Sequence, residues 1–330
     1  MHRLRKSEQE GEAVEMPFVR VRAPDAVQYQ DGGYLPPTVF AKKSGVAPAG
    51  MAKEPRPTES RRHDKRKEAS MSEQYPRAAL FGTEERTLFS TIRGREYHLS
   101  VALPDSYKTS TQAYPVIYVL DGDFNFGVAA GLTRFSNWFR KVPELIIVGI
   151  GYDMETSDEF AALRDLDFDI PGVPGASSES VSHLFLDALT QEMIPFINAN
   201  YRTIPSDRCL EGYSSGGFFV LYALFQQPDA FQRYISGSAI LKSTYDYWIH
   251  HDAQLAARNG SNPIQLYLSV GELEEDDIPN FRRFVTFLEQ GNYPGLTVSS
   301  EIYAGEGHGS EGIALTYLHG IARVYPQVER

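Results

Sequence analysis

Residues 210–220 read Leu210-Glu211-Gly212-Tyr213-Ser214-Ser215-Gly216-Gly217-Phe218-Phe219-Val220, a G-x-S-x-G pattern that runs into an apolar segment. Before it, Arg208-Cys209-Leu210 reads as a short buried strand. After it, Phe219, Leu221, Tyr222, Leu224 and Phe225 recur with helical period. A strand that becomes a helix across one residue must turn sharply, and the serine at the apex sits in strained backbone. Glycine suits the flanking positions because a Cβ there would clash where the two backbones approach. Ser214 is therefore the candidate nucleophile. The backbone N–H of Ser215 is expected to face the oxygen on which negative charge would develop.

The remaining sequence supplies a framework for such a turn. Arg86–Ile92 and Glu96–Leu103 are strand-like and separated by Arg93-Gly94-Arg95, which suggests a hairpin. Pro115–Leu120 and Glu144–Gly151 are continuous apolar runs, as expected of strands buried on both faces. Ala230–Ser238, Pro263–Gly271 and Leu296–Tyr303 read as further strands. Helices are expected over Phe124–Lys141, Val181–Asn198, Thr244–Arg258, Pro279–Gln290 and Gly312–Tyr325. Residues 152–180, rich in Asp, Pro, Gly and Ser, read as a long loop of the kind that covers a site. Strands alternating with helices imply an α/β fold with a mostly parallel central sheet, helices on both faces and an antiparallel N-terminal edge hairpin.

Residues 1–70 differ in character. They hold 14 Lys and Arg against 10 Asp and Glu, a net of +4, so the rest of the chain carries −15 within a total of −11. They show no sustained hydrophobic period, and a disordered extension is expected there. Arg61–Lys67 reads as a solvated charge cluster, and Met71 resembles a start of translation. Residues 71–330 are expected to form the catalytic domain. The acidic balance argues against a nucleic-acid partner. No apolar run is long enough for a membrane helix, and no apolar segment follows the basic N-terminus as in a secretory signal. A cytoplasmic location is expected. Cys209, the single cysteine, excludes an internal disulfide and reads as a small buried hydrophobe.

In open α/β sheets the chemistry gathers on loops at the carboxyl ends of strands. After Pro263–Gly271 come Glu272-Leu273-Glu274-Glu275-Asp276-Asp277, and after Leu296–Tyr303 come Ala304-Gly305-Glu306-Gly307-His308-Gly309. The order serine, acid, histidine is that of the α/β-hydrolase triad. His308 would take the Ser214 proton, and a carboxylate would hold the imidazole in its working tautomer. Position three beyond the strand-ending Gly271 favours Glu274, with Glu275 next. The second oxyanion donor is expected in Asp121-Gly122-Asp123, with Asp123 N–H first and Phe124 next. Two carboxylates with no further clustered ligands make Asp121 and Asp123 a weak cation site. No metal or cofactor is required. Tyr213, Arg164 and Trp248, with Trp138 and Tyr245, are candidates for the substrate pocket.

Together these segments resemble the esterase D-like branch of the α/β-hydrolases. Pro115–Gly122 is similar to its P-V-x-Y-x-L-D-G segment, and Arg164-Asp165 before Pro171 to its R-D-x-T-P loop. Phe185-Leu186 through Ile194-Pro195-Phe196-Ile197 to Tyr201-Arg202 resembles its F-L…E-x-I-P-x-I…Y-R helix. Gly271-Glu272-Leu273-Glu274 and Gly307-His308 complete a likeness over residues 76–325. It implies a serine carboxylesterase acting on a small-molecule ester through an acyl-enzyme. Thioester hydrolysis or acyl transfer by the same residues is the alternative, as is a silent binding protein of this fold. The branch includes trilactone siderophore esterases, feruloyl-type esterases, S-formylglutathione hydrolases and mycolyltransferases. The chain departs from the trilactone esterases at Ser236-Gly237-Ser238, where they carry S-P-S, and Leu166–Asp169 replaces the threonine-proline. Those pocket positions imply a substrate other than a catecholate siderophore. Acyl length, the alcohol and the oligomeric state stay open at this level.

Overall fold

The computed structural model describes residues 79–326, except 153, 155, 172, 174, 175, 177, 178, 243 and 261. The extension expected over residues 1–70 lies outside the described residues.

Eight strands form one sheet in the order β1-β2-β4-β3-β5-β6-β7-β8. They are β1 Thr83–Ser90, β2 Arg95–Ala102, β3 Tyr114–Val119, β4 Ile146–Gly151, β5 Thr203–Tyr213, β6 Arg233–Gly237, β7 Ile264–Gly271 and β8 Leu296–Tyr303. Strand β2 pairs antiparallel with both β1 and β4, and every other pairing is parallel. The hairpin expected at the edge is thus present. The helices are α1 Gly122–Trp138, α2 Ser157–Phe168, α3 Ser182–Ala188, α4 Ile194–Asn200, α5 Ser215–Gln226, α6 Tyr245–His250, α7 Ala253–Ala256, α8 Ile278–Gln290 and α9 Ser310–Val324.

The continuous apolar strands are buried on both faces, and alternate residues feed two cores. In β3, Val116 and Tyr118 point into one core with Leu210, Phe219 and Phe284. Ile117 and Val119 point into the other with Cys209, Ala129, Tyr317 and Ile321. Helices α1 and α9 cover the second face; α5, α8 and the α3–α4 segment cover the first. Among the described residues, no helix is long and apolar enough to cross a membrane.

Three sequence expectations need correction. Residues 152–180 are not loop throughout, because α2 lies inside them. Its Thr156 caps the helix by accepting from Glu159 N–H at 3.2 Å, and Phe168 packs against Phe185 and Phe219. The helix expected over Thr244–Arg258 is two short ones. The strand entering the elbow is longer than Arg208–Leu210. Pro205 within it has no N–H to give the ladder, and the register with β3 jumps from Tyr114↔Thr203 to Val116↔Arg208. Between α3 and α4 the chain makes a π-helical turn, Leu189–Met193, just ahead of Pro195, which likewise lacks a donor. Glu192 on that turn accepts from Thr91 N–H at 2.9 Å and from the Ser90 hydroxyl, pinning the β1–β2 hairpin.

Candidate active site

Ser214 sits between β5 and α5 with φ 59 and ψ −123, a conformation that L-residues adopt only when the surroundings impose it. Two glycines make the turn possible. A Cβ on Gly212 would lie 2.5 Å from the Gly216 carbonyl carbon, and one on Gly217 would lie 2.4 Å from Gly237 O. The Ser214 N–H donates to Gly237 O at 2.9 Å, so the neighbouring strand holds the apex in place.

Loops after β7 and β8 bring an acid and an imidazole to this serine. Ser214 Oγ is 2.9 Å from His308 Nε2, and His308 Nδ1 is 2.7 Å from Glu274 Oε2. A carboxylate only accepts, so Nδ1 carries the hydrogen and Nε2 is left to accept from the serine. The other oxygen of Glu274, Oε1, accepts from Gly271 N–H at 2.9 Å and from Ser238 Oγ at 2.6 Å. Burial pushes the Glu274 carboxyl upward. Hydrogen bonds from His308, Ser238 and Gly271 outweigh it and leave the group below its ordinary value. Of the four neighbouring acids, Glu275 is exposed and three are engaged elsewhere: Glu272 accepts from Gly305 N–H, Asp276 pairs with Lys242 Nζ, and Asp277 accepts from Lys242 N–H.

The turn after β3 lies on the other side of the elbow. Asp121 has φ 54 and ψ 43, and α1 begins immediately after it. Arg164 of α2 grips Asp121 with both ends of its guanidinium, at 2.7 and 2.9 Å, and donates to Tyr213 O at 3.2 Å. One side chain thus ties the β3 turn to the elbow. Asp123 is the second residue of α1 and Ser215 the first residue of α5, so neither N–H has a partner within its helix. The Asp123 carboxylate accepts from Tyr152 N–H at 2.9 Å.

Of the pocket candidates, Tyr213 lies at the site. Its ring packs on the His308 imidazole with centroids 5.2 Å apart, and its hydroxyl is 2.9 Å from Ser238 Oγ. Arg164 is at the site too, but as a brace: its charge is taken up by Asp121 and is not a free anion-binding group. Trp248 does not line the pocket. It is fully buried against Phe218, Phe225 and Phe284, with its Nε1–H donating to Thr244 Oγ1. Sequence reasoning missed Ser238, which has φ 43 and bridges Tyr213 and Glu274. It also missed that Asp167 is fully buried against Arg93, Arg95 and Tyr97, which fixes the end of α2 to the hairpin. The Thr156-x-x-Glu159 capping pattern was the available signal for that helix.

A family model described as "Putative esterase" matches residues 90–290. The chain is 31% identical over 255 residues to the ferri-bacillibactin esterase BesA of Bacillus subtilis, covering 69% of this chain and 84% of that one. Among solved structures it is similar to the BES protein of Bacillus cereus, with a TM-score of 0.65 and 26% identity over 76% of this chain and 97% of the other. A siderophore hydrolase, EstB of Aspergillus nidulans, shares the fold with a TM-score of 0.63 and 24% identity, covering 78% and 99% of the two chains. With its eight-stranded sheet and the elbow at its centre, the chain belongs to this esterase family of α/β-hydrolase fold and is a carboxylic ester hydrolase.

Proposed function

We propose that Ser214, His308 and Glu274 are the catalytic triad of a serine esterase that works through an acyl-enzyme. Ser214 Oγ attacks the ester carbonyl carbon while His308 Nε2 takes its proton. The imidazolium so formed is stabilised by Glu274 through Nδ1–H. The carbonyl oxygen, now negative, accepts from Ser215 N–H and Asp123 N–H at the starts of α5 and α1. Collapse expels the alcohol, which leaves with the proton from His308. A water then gives its proton to His308, attacks the acyl carbon, and releases the carboxylic acid and free Ser214.

The observation that carries this assignment is the unbroken line of hydrogen bonds from Ser214 through His308 to Glu274. A fluorophosphonate probe should label Ser214, with the adduct located by peptide mass spectrometry and absent from Ser214→Ala. A folded protein that takes no label would remove Ser214 as the nucleophile and this triad with it. The substrate is a small-molecule ester. Relatives named for ferri-bacillibactin and triacetylfusarinine C make siderophore esters one arm of a substrate panel, beside simple esters and thioesters. Turnover of thioesters alone would favour the thioesterase alternative.

A further inference from the structure

The outer face of α1 carries an apolar seam that the site does not use. Phe124, Val128, Gly131, Phe135 and Trp138 follow one another at spacings of four, three, four and three, the pattern of helices that pack along a shared seam. Phe124 is 60% exposed, Phe135 59% and Trp138 76%, and Phe139 continues the row at 70%. The Phe135 and Trp138 rings lie parallel, 6° apart, with centroids at 6.5 Å, so each holds the other in place on the helix surface. Phe81, also exposed, extends the patch beside Arg134. Nothing lies within 4 Å of where a Cβ on Gly131 would be.

We infer that this seam is a homodimer interface in which α1 of one copy packs antiparallel on α1 of a second, about a two-fold axis at Gly131. The spacing is self-complementary: Phe124 and Trp138 each stand seven residues from Gly131. The axis therefore sets Phe124 of one copy beside Trp138 of the other, and Gly131 lets the two backbones approach at the crossing. Charge selects the direction. The exposed Asp123 opens the helix and the exposed Lys141 follows it, so antiparallel packing places acid near base at both ends. Parallel packing would set like against like. From Phe124 to Thr133 the helix carries no charge, which removes the repulsion that an acidic chain would otherwise bring to its own copy. Full burial of the exposed rings would reach the lower bound for a specific interface. Four largely exposed aromatic rings, at roughly 200 Å² apiece when whole, offer on the order of 500 Å² per copy, about the 1,000 Å² in total that a specific interface requires.

The test uses the full chain. Light scattering at about 100 μM, where even a micromolar self-affinity fills the dimer, should give twice the chain mass. The variant Phe135→Glu/Trp138→Glu should give the single-chain mass with unchanged circular dichroism. Gly131→Cys gives a second readout. Cys209 is buried, so a thiol at the axis should join two copies by a disulfide on oxidation, whereas Glu289→Cys, exposed on α8, should not. A single-chain mass, a dimer indifferent to the glutamate pair, or Gly131→Cys cross-linking no faster than Glu289→Cys would each overturn the interface.

Discussion

Two carboxyl groups, one from the strand that leads into Ser214 and one from the loop that reaches His308, live in opposite conditions. Glu274, on the loop after β7, is half-buried and accepts from His308, Ser238 and Gly271 N–H. Glu211, in β5 three residues before the serine, is 1% exposed, and its Oε2 has no hydrogen-bond partner. Burial acts upward on both. For Glu274 the donors reverse it; for Glu211, burial with Asp121 nearby pushes the group up to about 8. What keeps an acid ionised beside this elbow is therefore the number of donors aimed at it, and the depth of burial alone does the opposite. Asp121 is the intermediate case, buried but held by Arg164.

That contrast can be broken experimentally. Glu274→Gln keeps the shape and removes the charge, and kcat should fall by about 10³–10⁴-fold through the wrong imidazole tautomer. Full activity in this variant would end the comparison. Arg164→Ala converts Asp121 into a second unpartnered acid. Urea unfolding should show a loss of about 3–5 kcal/mol, as expected when one partner of a buried ion pair is removed. Glu211→Met keeps the side-chain length without the charge. Folded Glu211 holds its proton up to about pH 8, whereas the unfolded group releases it near pH 4.3, so wild-type stability declines as pH rises between those values. The stability gap in favour of Glu211→Met should widen by as much as about 1.4 kcal/mol per pH unit over that span, read as melting temperature, with esterase activity within about twofold. A gap that does not change with pH would mean Glu211 is ionised throughout. The smallest effect is expected from Ser238→Ala, which removes one donor from Glu274. A hydrogen bond to a charged group is worth about 1.5 kcal/mol, so kcat/KM should drop by about tenfold.

How far the sequence disclosed all this depends on the kind of residue. The central strands were legible because burial on both faces leaves continuous apolar runs, and the elbow because steric need at Gly212 and Gly217 leaves only glycine. Glu274 was separable from four neighbouring acids by its distance from Gly271, and it is the one within reach of His308. Helix α2 was hidden, since its acids and the prolines and glycines after it read as loop; its cap, Thr156, was the clue. Arg164 and Trp248 illustrate a different limit. Each residue type suits a pocket, but the sequence does not say that Asp121 neutralises one or that three phenylalanines enclose the other. Ser238 lies in a left-handed conformation usually taken by glycine, and its contacts come from the end of β5 and the loop after β7, both distant in sequence.

The sheet order has a consequence for how the chain is made. Strand β3 lies between β4 and β5, and its second partner follows roughly 90 residues later, as Ile117↔Cys209 shows. At ribosomal speeds of about 5–20 residues per second, the Val-Ile-Tyr-Val edge of β3 waits on the order of 5–20 s for β5 to arrive. An apolar strand edge left open that long invites pairing with another nascent chain. Soluble yield of this protein should therefore respond to translation rate and to chaperone supply while the stretch between β4 and β5 is being made.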